Sequence, residues 1–191
     1  MDKTVGSLTQ FQKSVIIGSI LGDGYLRIVR GRTNAFLEIN HSFNQKEYVD
    51  WKYSVLKNIS RSRPHERFGN GDRVAYRFFT KQHPEITKLY RKFYINGRKV
   101  VPRIQIDAII LAVWYMDDGS KCRASDIYLN SQQFDRQSQE NLIDALYILG
   151  LEVHLNKDKQ YERIRFLKKS IPKLKKFISP YIFSSMRYKI E

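Results

Sequence analysis

Two aspartates, Asp23 and Asp118, each follow a strongly apolar run, Val15–Leu21 and Ala108–Met116. Each run predicts a buried helix with a carboxylate at its C-terminal end, where the helix macrodipole disfavours an acid by up to about 1 kcal/mol. If the two helices pack together, the carboxylates converge and repel each other unless a proton or a metal ion neutralises them. Carboxylate oxygens suit a hard ion such as Mg²⁺, which also accepts phosphate oxygens. In a basic protein this arrangement favours metal-assisted hydrolysis of a phosphodiester.

The charge of the chain favours a polyanion as its partner. Its 191 residues include 34 Lys+Arg and 19 Asp+Glu, a net charge of +15 with neutral His. Aromatic residues interleave with the basic ones in both halves, as in Tyr76–Phe79 and Arg163–Phe166, which argues against a disordered basic tail. Nucleic acid is therefore the first candidate, and a merely solvated basic surface is the alternative.

The composition also excludes several classes of protein. A single cysteine, Cys122, cannot build a disulfide framework or a cysteine-based zinc site. The apolar runs fall short of the roughly 20 residues that a membrane span needs, so we expect no membrane partner. Residues 1–4 lack the order of a signal peptide, so we expect an intracellular protein of an organelle matrix or of bacterial or phage cytoplasm.

Other kinds of chemistry find little support. Residues 69–71 read as a hairpin turn rather than a phosphate-binding loop, so no nucleotide cofactor is implied. The histidines show no metal-ligand spacing, and a surface or hydrogen-bonded role fits each of them: His41, His65, His83 and His154.

The order of predicted elements repeats once along the chain. Hydrophobic periodicity and turn residues predict α-β-β-α-β-β-α twice, with helices at 9–22, 47–59, 84–94, 107–116, 137–149 and 171–178 and strands at 25–29, 35–40, 66–68, 73–80, 121–123, 127–130, 152–157 and 160–167. The two copies align Ile39 with Leu129 and Phe79 with Phe166. We therefore predict an α+β protein of two pseudo-symmetric halves, 1–97 and 98–191, with chance similarity of order as the alternative.

Two nine-residue segments carry a resemblance to a known family. Ile16–Gly24 (IIGSILGDG) and Leu111–Gly119 (LAVWYMDDG) resemble the two signatures of LAGLIDADG homing endonucleases, and the second is most similar to the variant of intron-encoded members. The resemblance covers about residues 8–190. It implies two antiparallel sheets that form a saddle over a DNA duplex, with the two signature helices packed side by side at the centre. Gly18 and Gly22 fit such close packing.

The same resemblance implies the catalytic groups. It assigns Asp23 and Asp118 to the catalytic metal ions, about two or three Mg²⁺ that Mn²⁺ can replace. It also places one basic residue per half, Lys99 and Lys189, near the active site, where it polarises solvent or stabilises charge on the phosphate. Asp117 matches a small residue of the archetypal signature, so we expect it to make a helix-end hydrogen bond rather than bind metal.

The strands are expected to supply the recognition surface, because a β-ribbon can enter the major groove and present alternate side chains to base edges. Alternation within Arg73–Arg77 and Gln160–Arg165 puts polar residues on one face. Whether each residue binds phosphate or base stays open, as does a solvated sheet face. The candidates are Arg30, Arg32, Asn34, Arg67, Arg73, Arg77, Lys121, Arg123, Asn130, Gln132, Lys157, Lys159, Arg163 and Arg165.

Taken together, the resemblance and the charge predict a monomeric, site-specific endonuclease that hydrolyses both strands of a long double-stranded DNA target with divalent metal. One alternative is a maturase that binds group I intron RNA with the same basic sheets. Another is a catalytically inactive DNA-binding regulator of the same fold. Retention of both aspartates and both lysines favours the nuclease.

Overall fold

A computed structural model describes residues 6–69, 71–123 and 126–191. Two sequence predictions rest on residues outside these ranges, the N-terminal segment 1–4 and Asn70 in the turn at 69–71. The chain divides into two compact units, Met1–Arg91 and Lys92–Glu191. Each unit contains a four-stranded antiparallel sheet.

The first unit opens with the helix whose start the sequence predicts. Thr9 Oγ1 accepts a hydrogen bond from the Gln12 N–H (3.2 Å), and Gln12 Oε1 accepts one from the Thr9 N–H (3.1 Å), which confirms the predicted capping box. The elements in order are α1 (Gln10–Leu21), β1 (Tyr25–Arg27), β2 (Phe36–Ser42), α2 (Lys46–Leu56), β3 (His65–Phe68), β4 (Val74–Phe79) and α3 (Pro84–Phe93), and α3 ends just beyond the unit.

The first sheet has the strand order β1-β2-β4-β3, and its two faces differ in polarity. Ile39 lies opposite Phe78, and both side chains are buried in the core. One position further along β2, Asn40 lies opposite Arg77 on the other face. Because successive side chains of a strand alternate between faces, the polar residues of β2 and β4 share the face that points away from the core.

The second unit begins with a short hairpin that the sequence analysis did not predict. Strands β5 (Tyr94–Ile95) and β6 (Arg98–Lys99) pair around Asn96 and Gly97, which both have positive φ. The further elements are α4 (Ala108–Asp118), β7 (Gly119–Arg123), β8 (Asp126–Leu129), α5 (Arg136–Ile148), β9 (Val153–Asp158), β10 (Tyr161–Phe166) and α6 (Ile171–Ile178). Helix α4 is buried from Ile110 to Asp117, as its all-round apolar sequence predicts, and it packs against α6.

The second sheet repeats the topology of the first, with the order β7-β8-β10-β9. This confirms the duplicated α-β-β-α-β-β-α order and the α+β class. One matched pair from the sequence is wrong: Leu129 lies opposite Ile164, so the counterpart of Phe78 is Ile164, and Phe79 matches Arg165 rather than Phe166. A shift of one residue moves a side chain to the opposite face of a sheet.

The lengths of the helices show whether any of them could span a membrane. Among the residues that the structure describes, no helix combines the length and the apolar character needed to cross a membrane.

Candidate active site and nucleic-acid interface

The backbone after α1 sets the position of Asp23. The N–H of Gly22 donates to the carbonyl of Gly18 (3.1 Å), and Asp23 follows with 46% of its side-chain surface exposed. Gly24 then turns back onto the helix: its N–H donates to Ser19 O (2.7 Å), and a Cβ added here would lie 2.7 Å from that same oxygen. Only glycine fits this close approach, so the Asp-Gly order of the signature has a steric reason.

His41 is the neighbour of Asp23 that the sequence analysis missed. Its Nδ1 lies 3.3 Å from Asp23 Oδ2, and only 1% of its side-chain surface is exposed. The ring also meets Tyr48 edge to face, with centroids 5.5 Å apart. Of the two roles that the sequence left open for this histidine, the hydrogen-bonded one is correct. No spacing signal could reveal it, because the β1–β2 hairpin brings the two residues together.

Asp118 occupies the equivalent place in the second unit, as the last residue of α4. Its Oδ2 accepts a hydrogen bond from Gln133 Nε2 (3.3 Å), and its backbone carbonyl accepts one from the Asn130 N–H (3.0 Å). Gly119 is again required, since an added Cβ would lie 2.3 Å from the carbonyl of Tyr115. The two aspartates therefore share a backbone setting but differ in neighbours, an imidazole in one unit and a neutral amide in the other.

Lys189 reaches the same helix end as Asp118. Its Nζ donates to the carbonyl oxygens of Met116 (2.5 Å) and Asp117 (3.0 Å). Tyr115 fixes the segment from the other side, because its hydroxyl donates to the Lys189 carbonyl (2.6 Å). Burial raises the pKa of the Tyr115 hydroxyl above its ordinary value, so the hydroxyl remains a donor at neutral pH. A cation at this place also complements the negative end of the helix dipole.

Lys99, the other lysine that the resemblance implies, is half-buried on β6, where the register pairs it with Tyr94. It belongs to the second unit, whereas Asp23 belongs to the first. The side chain of Asp117 is buried at the end of α4. In the sequence, Lys99 and Lys189 are matched because each follows the last predicted helix of its copy.

The donor chemistry at both helix ends fits a divalent cation. Neither α1 nor α4 has a basic residue in its last turn, and each ends at a carboxylate. At the end of α4, the amide of Gln133 contacts the Asp118 carboxylate and Lys189 contacts backbone carbonyls. Carboxylate and carbonyl oxygens are the ligands that Mg²⁺ and similar hard ions prefer. Asp23 and Asp118 are therefore suited to hold such ions.

A cleft of about 830 Å³ joins Asp23 to the polar face of the first sheet. Arg67 and Arg73 line it together with Asn40 and His41. The cleft thus brings a basic side chain from β3 and one from the residue just before β4 beside the candidate catalytic carboxylate. Asp72 lines the cleft as well. The guanidinium groups suit contacts with a phosphate backbone.

The remaining candidates of the first sheet differ in their surroundings. Arg30 and Arg32 are exposed in the turn between β1 and β2. Arg77 lies over the Phe79 ring (5.1 Å) and within 4.0 Å of Glu38. Asn34 is half-buried, and its amide oxygen accepts a hydrogen bond from Thr87 (3.0 Å), so it tethers the β1–β2 loop to α3.

In the second sheet, Arg163 and Arg165 share the face that points away from the core. The Arg163 guanidinium lies 4.0 Å from the Tyr128 ring centroid and donates to Asn130 Oδ1 (3.4 Å). Arg165 forms an ion pair with Asp126. These contacts hold the two guanidinium groups in place on the polar face.

Other candidates of this unit lie at strand ends and turns. Lys121 and Arg123 lie on β7, and Lys159 occupies the β9–β10 turn with φ of 56°. The Gln132 amide donates to Asp158 (2.8 Å). In the register of β9 and β10, Lys157 pairs with Glu162, and Asn156 pairs with Arg163. Lys157 therefore lies on the opposite face of β9 from Asn156. Strand alternation therefore separates Lys157 from the arginine face, although it remains exposed at the end of the strand.

This fold, with its two aspartates at equivalent helix ends, is that of a known protein family. A model of the LAGLIDADG DNA endonuclease family matches residues 13–174, and the chain belongs to that family. The solved structure of the homing endonuclease I-WcaI bound to its DNA recognition sequence matches 97% of this chain and 88% of that chain, with a TM-score of 0.89 and 26% identity. I-DmoI in complex with DNA and Mn shares the fold at a TM-score of 0.58 and 14% identity, over 88% of this chain and 96% of that chain.

Three curated relatives of the sequence differ in kind. A probable intron-encoded endonuclease 1 of Wickerhamomyces canadensis is 29% identical over 96% of this chain and 85% of its own length. The cytochrome b mRNA maturase bI2 of Debaryomyces hansenii is 26% identical over 92% of this chain and 72% of its own length. Protein RecA of Mycobacterium gastri is 30% identical over 96% of this chain, and the chain spans only 48% of that protein.

Proposed function

We propose that this protein is a site-specific endonuclease that cuts both strands of double-stranded DNA with divalent metal ions. The observation that carries the proposal is the pair of aspartates, Asp23 and Asp118. Each lies at the end of a signature helix, and each is followed by a glycine because the backbone there leaves no room for a Cβ atom. Support comes from the similarity to I-WcaI, whose structure was solved on its DNA recognition sequence.

In the proposed mechanism each aspartate serves one strand. When bound, the ions supply positive charge for the phosphate and lower the pKa of a bound water molecule. Asp23 and Asp118 hold them, with Mg²⁺ as the resident ion and Mn²⁺ as a substitute. Lys189, anchored beside Asp118, stabilises the charge that develops on the phosphate, and Lys99 is proposed for the same role in the other half.

Binding is proposed to use the polar faces of both sheets. Arg67 and Arg73 line the cleft of Asp23, while Arg163 and Arg165 form the corresponding surface of the second sheet. Because both units belong to one chain, a single copy carries two carboxylates and two recognition sheets. We therefore propose that the protein acts as a monomer on a long target.

The test is a selection of cleaved molecules from a library of long random duplexes in the presence of Mg²⁺. The wild type is expected to enrich one family of sites and to cut both strands. Asp23→Asn and Asp118→Asn should each lose cleavage of the selected site while retaining affinity for it in Ca²⁺. Asp144→Asn, at an exposed position on α5, is the matched control and should cut normally. Cleavage by the double Asp23→Asn, Asp118→Asn variant would contradict the assignment.

A second function is favoured by maturase relatives such as that of Debaryomyces hansenii. In this alternative the basic sheets bind structured intron RNA and assist its folding. Splicing of a group I intron in the presence of the protein would support it, provided that the variant with both aspartates changed splices equally well. Tight binding to one duplex without any nicking in Mg²⁺ or Mn²⁺ would instead indicate a catalytically inactive DNA-binding regulator.

A further inference from the structure

One lysine of the first unit lies wholly inside the core. Lys52, on α2, has no exposed surface. Burial of an amine is costly unless polar groups surround it, so a lysine in the core of a small unit calls for an explanation. Its Nζ lies 3.4 Å from His41 Nε2 and 4.6 Å from the centre of the Tyr48 ring. Both neighbours are themselves buried.

These contacts continue to the candidate catalytic acid. The two ring nitrogens of His41 face different partners: Nε2 faces Lys52, and Nδ1 lies 3.3 Å from Asp23 Oδ2. A lysine ammonium can only donate hydrogen bonds, so Nε2 must accept, and in the neutral ring the hydrogen then resides on Nδ1. That hydrogen points towards the Asp23 carboxylate.

We propose that Lys52 and His41 are positioning residues for Asp23. Lys52 fixes the tautomer of His41, and His41 then donates from Nδ1 to one carboxylate oxygen and orients the other towards the metal and the DNA. This inference rests on the proposed nuclease function. The same tautomer also prevents Nδ1 from acting as a rival ligand, because a nitrogen that carries hydrogen has no lone pair to offer a cation.

Among its described residues, the second unit places other side chains at the positions that correspond to His41 and Lys52. Leu129 lies opposite Ile164 as Ile39 lies opposite Phe78, so two residues further along the chain Ser131 takes the place of His41. The hydroxyl of Ser131 accepts a hydrogen bond from the backbone N–H of Ile164 on β10 (3.2 Å). At the same offset along the helix, the counterpart of Lys52 is the buried Leu142.

The asymmetry gives the inference a distinctive consequence. Among the residues that the structure describes, Lys52 is the one buried lysine, and it lies behind the aspartate of the first unit, so its loss should impair the strand that Asp23 cleaves and spare the other strand. A merely structural role for Lys52 would affect both strands alike, because global loss of folded protein cannot distinguish them.

The first experiment reads the tautomer directly, without DNA or metal. Protein with ¹⁵N-labelled histidine is examined by NMR at mildly alkaline pH, where imidazole is neutral. In the wild type His41 should carry its hydrogen on Nδ1. Because the Asp23 carboxylate also requires a hydrogen on Nδ1, the lysine is tested in an Asp23→Asn background, whose amide can donate or accept. Asp23→Asn alone should keep the Nδ1–H form, and adding Lys52→Met, which keeps the side-chain length but removes the donor, should move the His41 signals towards the Nε2–H form. Unchanged His41 signals on adding Lys52→Met would overturn the inference.

The chain contains an internal reference for this measurement. His83 is also buried, but its Nδ1 accepts from the Glu85 N–H (3.1 Å) and its Nε2 faces the Gly6 carbonyl (3.1 Å), so it should show the opposite tautomer. Its signals should not change in Lys52→Met. Lys88→Met, at an exposed position on α3, is the matched control and should leave both histidines as in the wild type.

The second experiment measures each strand separately on a duplex that the wild type cuts in Mg²⁺. Lys52→Met should bind this duplex as tightly as the wild type, cut one strand about tenfold to a hundredfold more slowly, and accumulate a nicked intermediate. Equal slowing of both strands, or no slowing, would overturn the inference. Failure of the wild type to cut any duplex would instead overturn the proposed function, and the NMR experiment would still decide whether Lys52 sets the tautomer of His41.

Discussion

The hydroxyl of Tyr115, in the middle of the second signature helix, donates a hydrogen bond of 2.6 Å to the backbone carbonyl of Lys189, near the end of the chain. The Lys189 side chain returns to the same helix and donates to the carbonyls of Met116 and Asp117. These reciprocal contacts fix the ammonium group of Lys189 at the helix end that carries Asp118, the candidate catalytic carboxylate. In the proposed mechanism the lysine acts there on a bound phosphate.

Replacement of Lys189 tests this role. Lys189→Met should lower the single-turnover cleavage rate by about a hundredfold, because it removes a positioned positive charge near the reacting phosphate. Affinity for the target should change little, since one contact among many is lost. Lys176→Met, at an exposed position on α6, should cleave at the wild-type rate. A loss of affinity as large as the loss of rate would contradict a catalytic role.

Tyr115 should also make stability depend on alkaline pH. Burial raises the pKa of its hydroxyl above the ordinary value of 10.0. A group whose pKa is higher in the folded state binds more protons there than in the unfolded chain, so its contribution is complete below about 10 and declines as the pH rises beyond that value. The free energy of unfolding, measured by urea denaturation, should therefore fall above this pH.

Tyr115→Phe should abolish much of that alkaline decline. At neutral pH the variant should be destabilised by about 1 kcal/mol, because the Lys189 carbonyl loses its donor. Tyr147→Phe, at an exposed position on α5, is the control and should retain the wild-type pH profile. An alkaline decline of unchanged size in Tyr115→Phe would show that other groups cause it.

Gly119 offers a test of the helix-end geometry. An added Cβ would lie 2.3 Å from the Tyr115 carbonyl, a contact that the backbone must move to relieve. We expect Gly119→Ala to lower the free energy of unfolding by about 1–3 kcal/mol and to displace Asp118 enough to reduce cleavage. Gly6→Ala is the matched control, since a Cβ at that position meets no atom within 4 Å. Equal stability of the two variants in thermal unfolding would contradict this account.

The sequence predicted the elements of this fold well because their signals are local. The capping box at Thr9 and the apolar run that ends at Asp118 depend only on neighbours along the chain, and the structure confirms both elements. The short β5–β6 hairpin was missed because two-residue strands carry no periodicity. The misaligned pair of Phe79 and Phe166 has the same origin, since sequence spacing alone does not determine strand register.

The site was predictable only in part, for a related reason. The two aspartates stand out because acids at the ends of apolar helices oppose the helix dipole. The neighbours that tune them come from distant segments: His41 reaches Asp23 across the β1–β2 hairpin, and Lys52 reaches His41 from α2. A histidine or lysine outside any spacing motif is first interpreted as a surface residue. Only the packing of the folded chain reveals that His41 and Lys52 are buried.

The basic face of the first sheet should reveal itself in the salt dependence of binding. Arg67 is exposed on β3 and lines the cleft that contains Asp23, so we expect it to contact a backbone phosphate. Arg67→Met should then reduce the slope of log K against log salt concentration by about 0.9, the value for one released counterion, and weaken binding to all duplexes alike. Arg136→Met is the matched control, because this arginine on α5 already pairs with Glu140 (2.9 Å) and Glu162 (2.8 Å). Fluorescence anisotropy with a labelled duplex at several salt concentrations measures both slopes. An unchanged slope for Arg67→Met together with altered preference among target sequences would assign this arginine to a base edge instead.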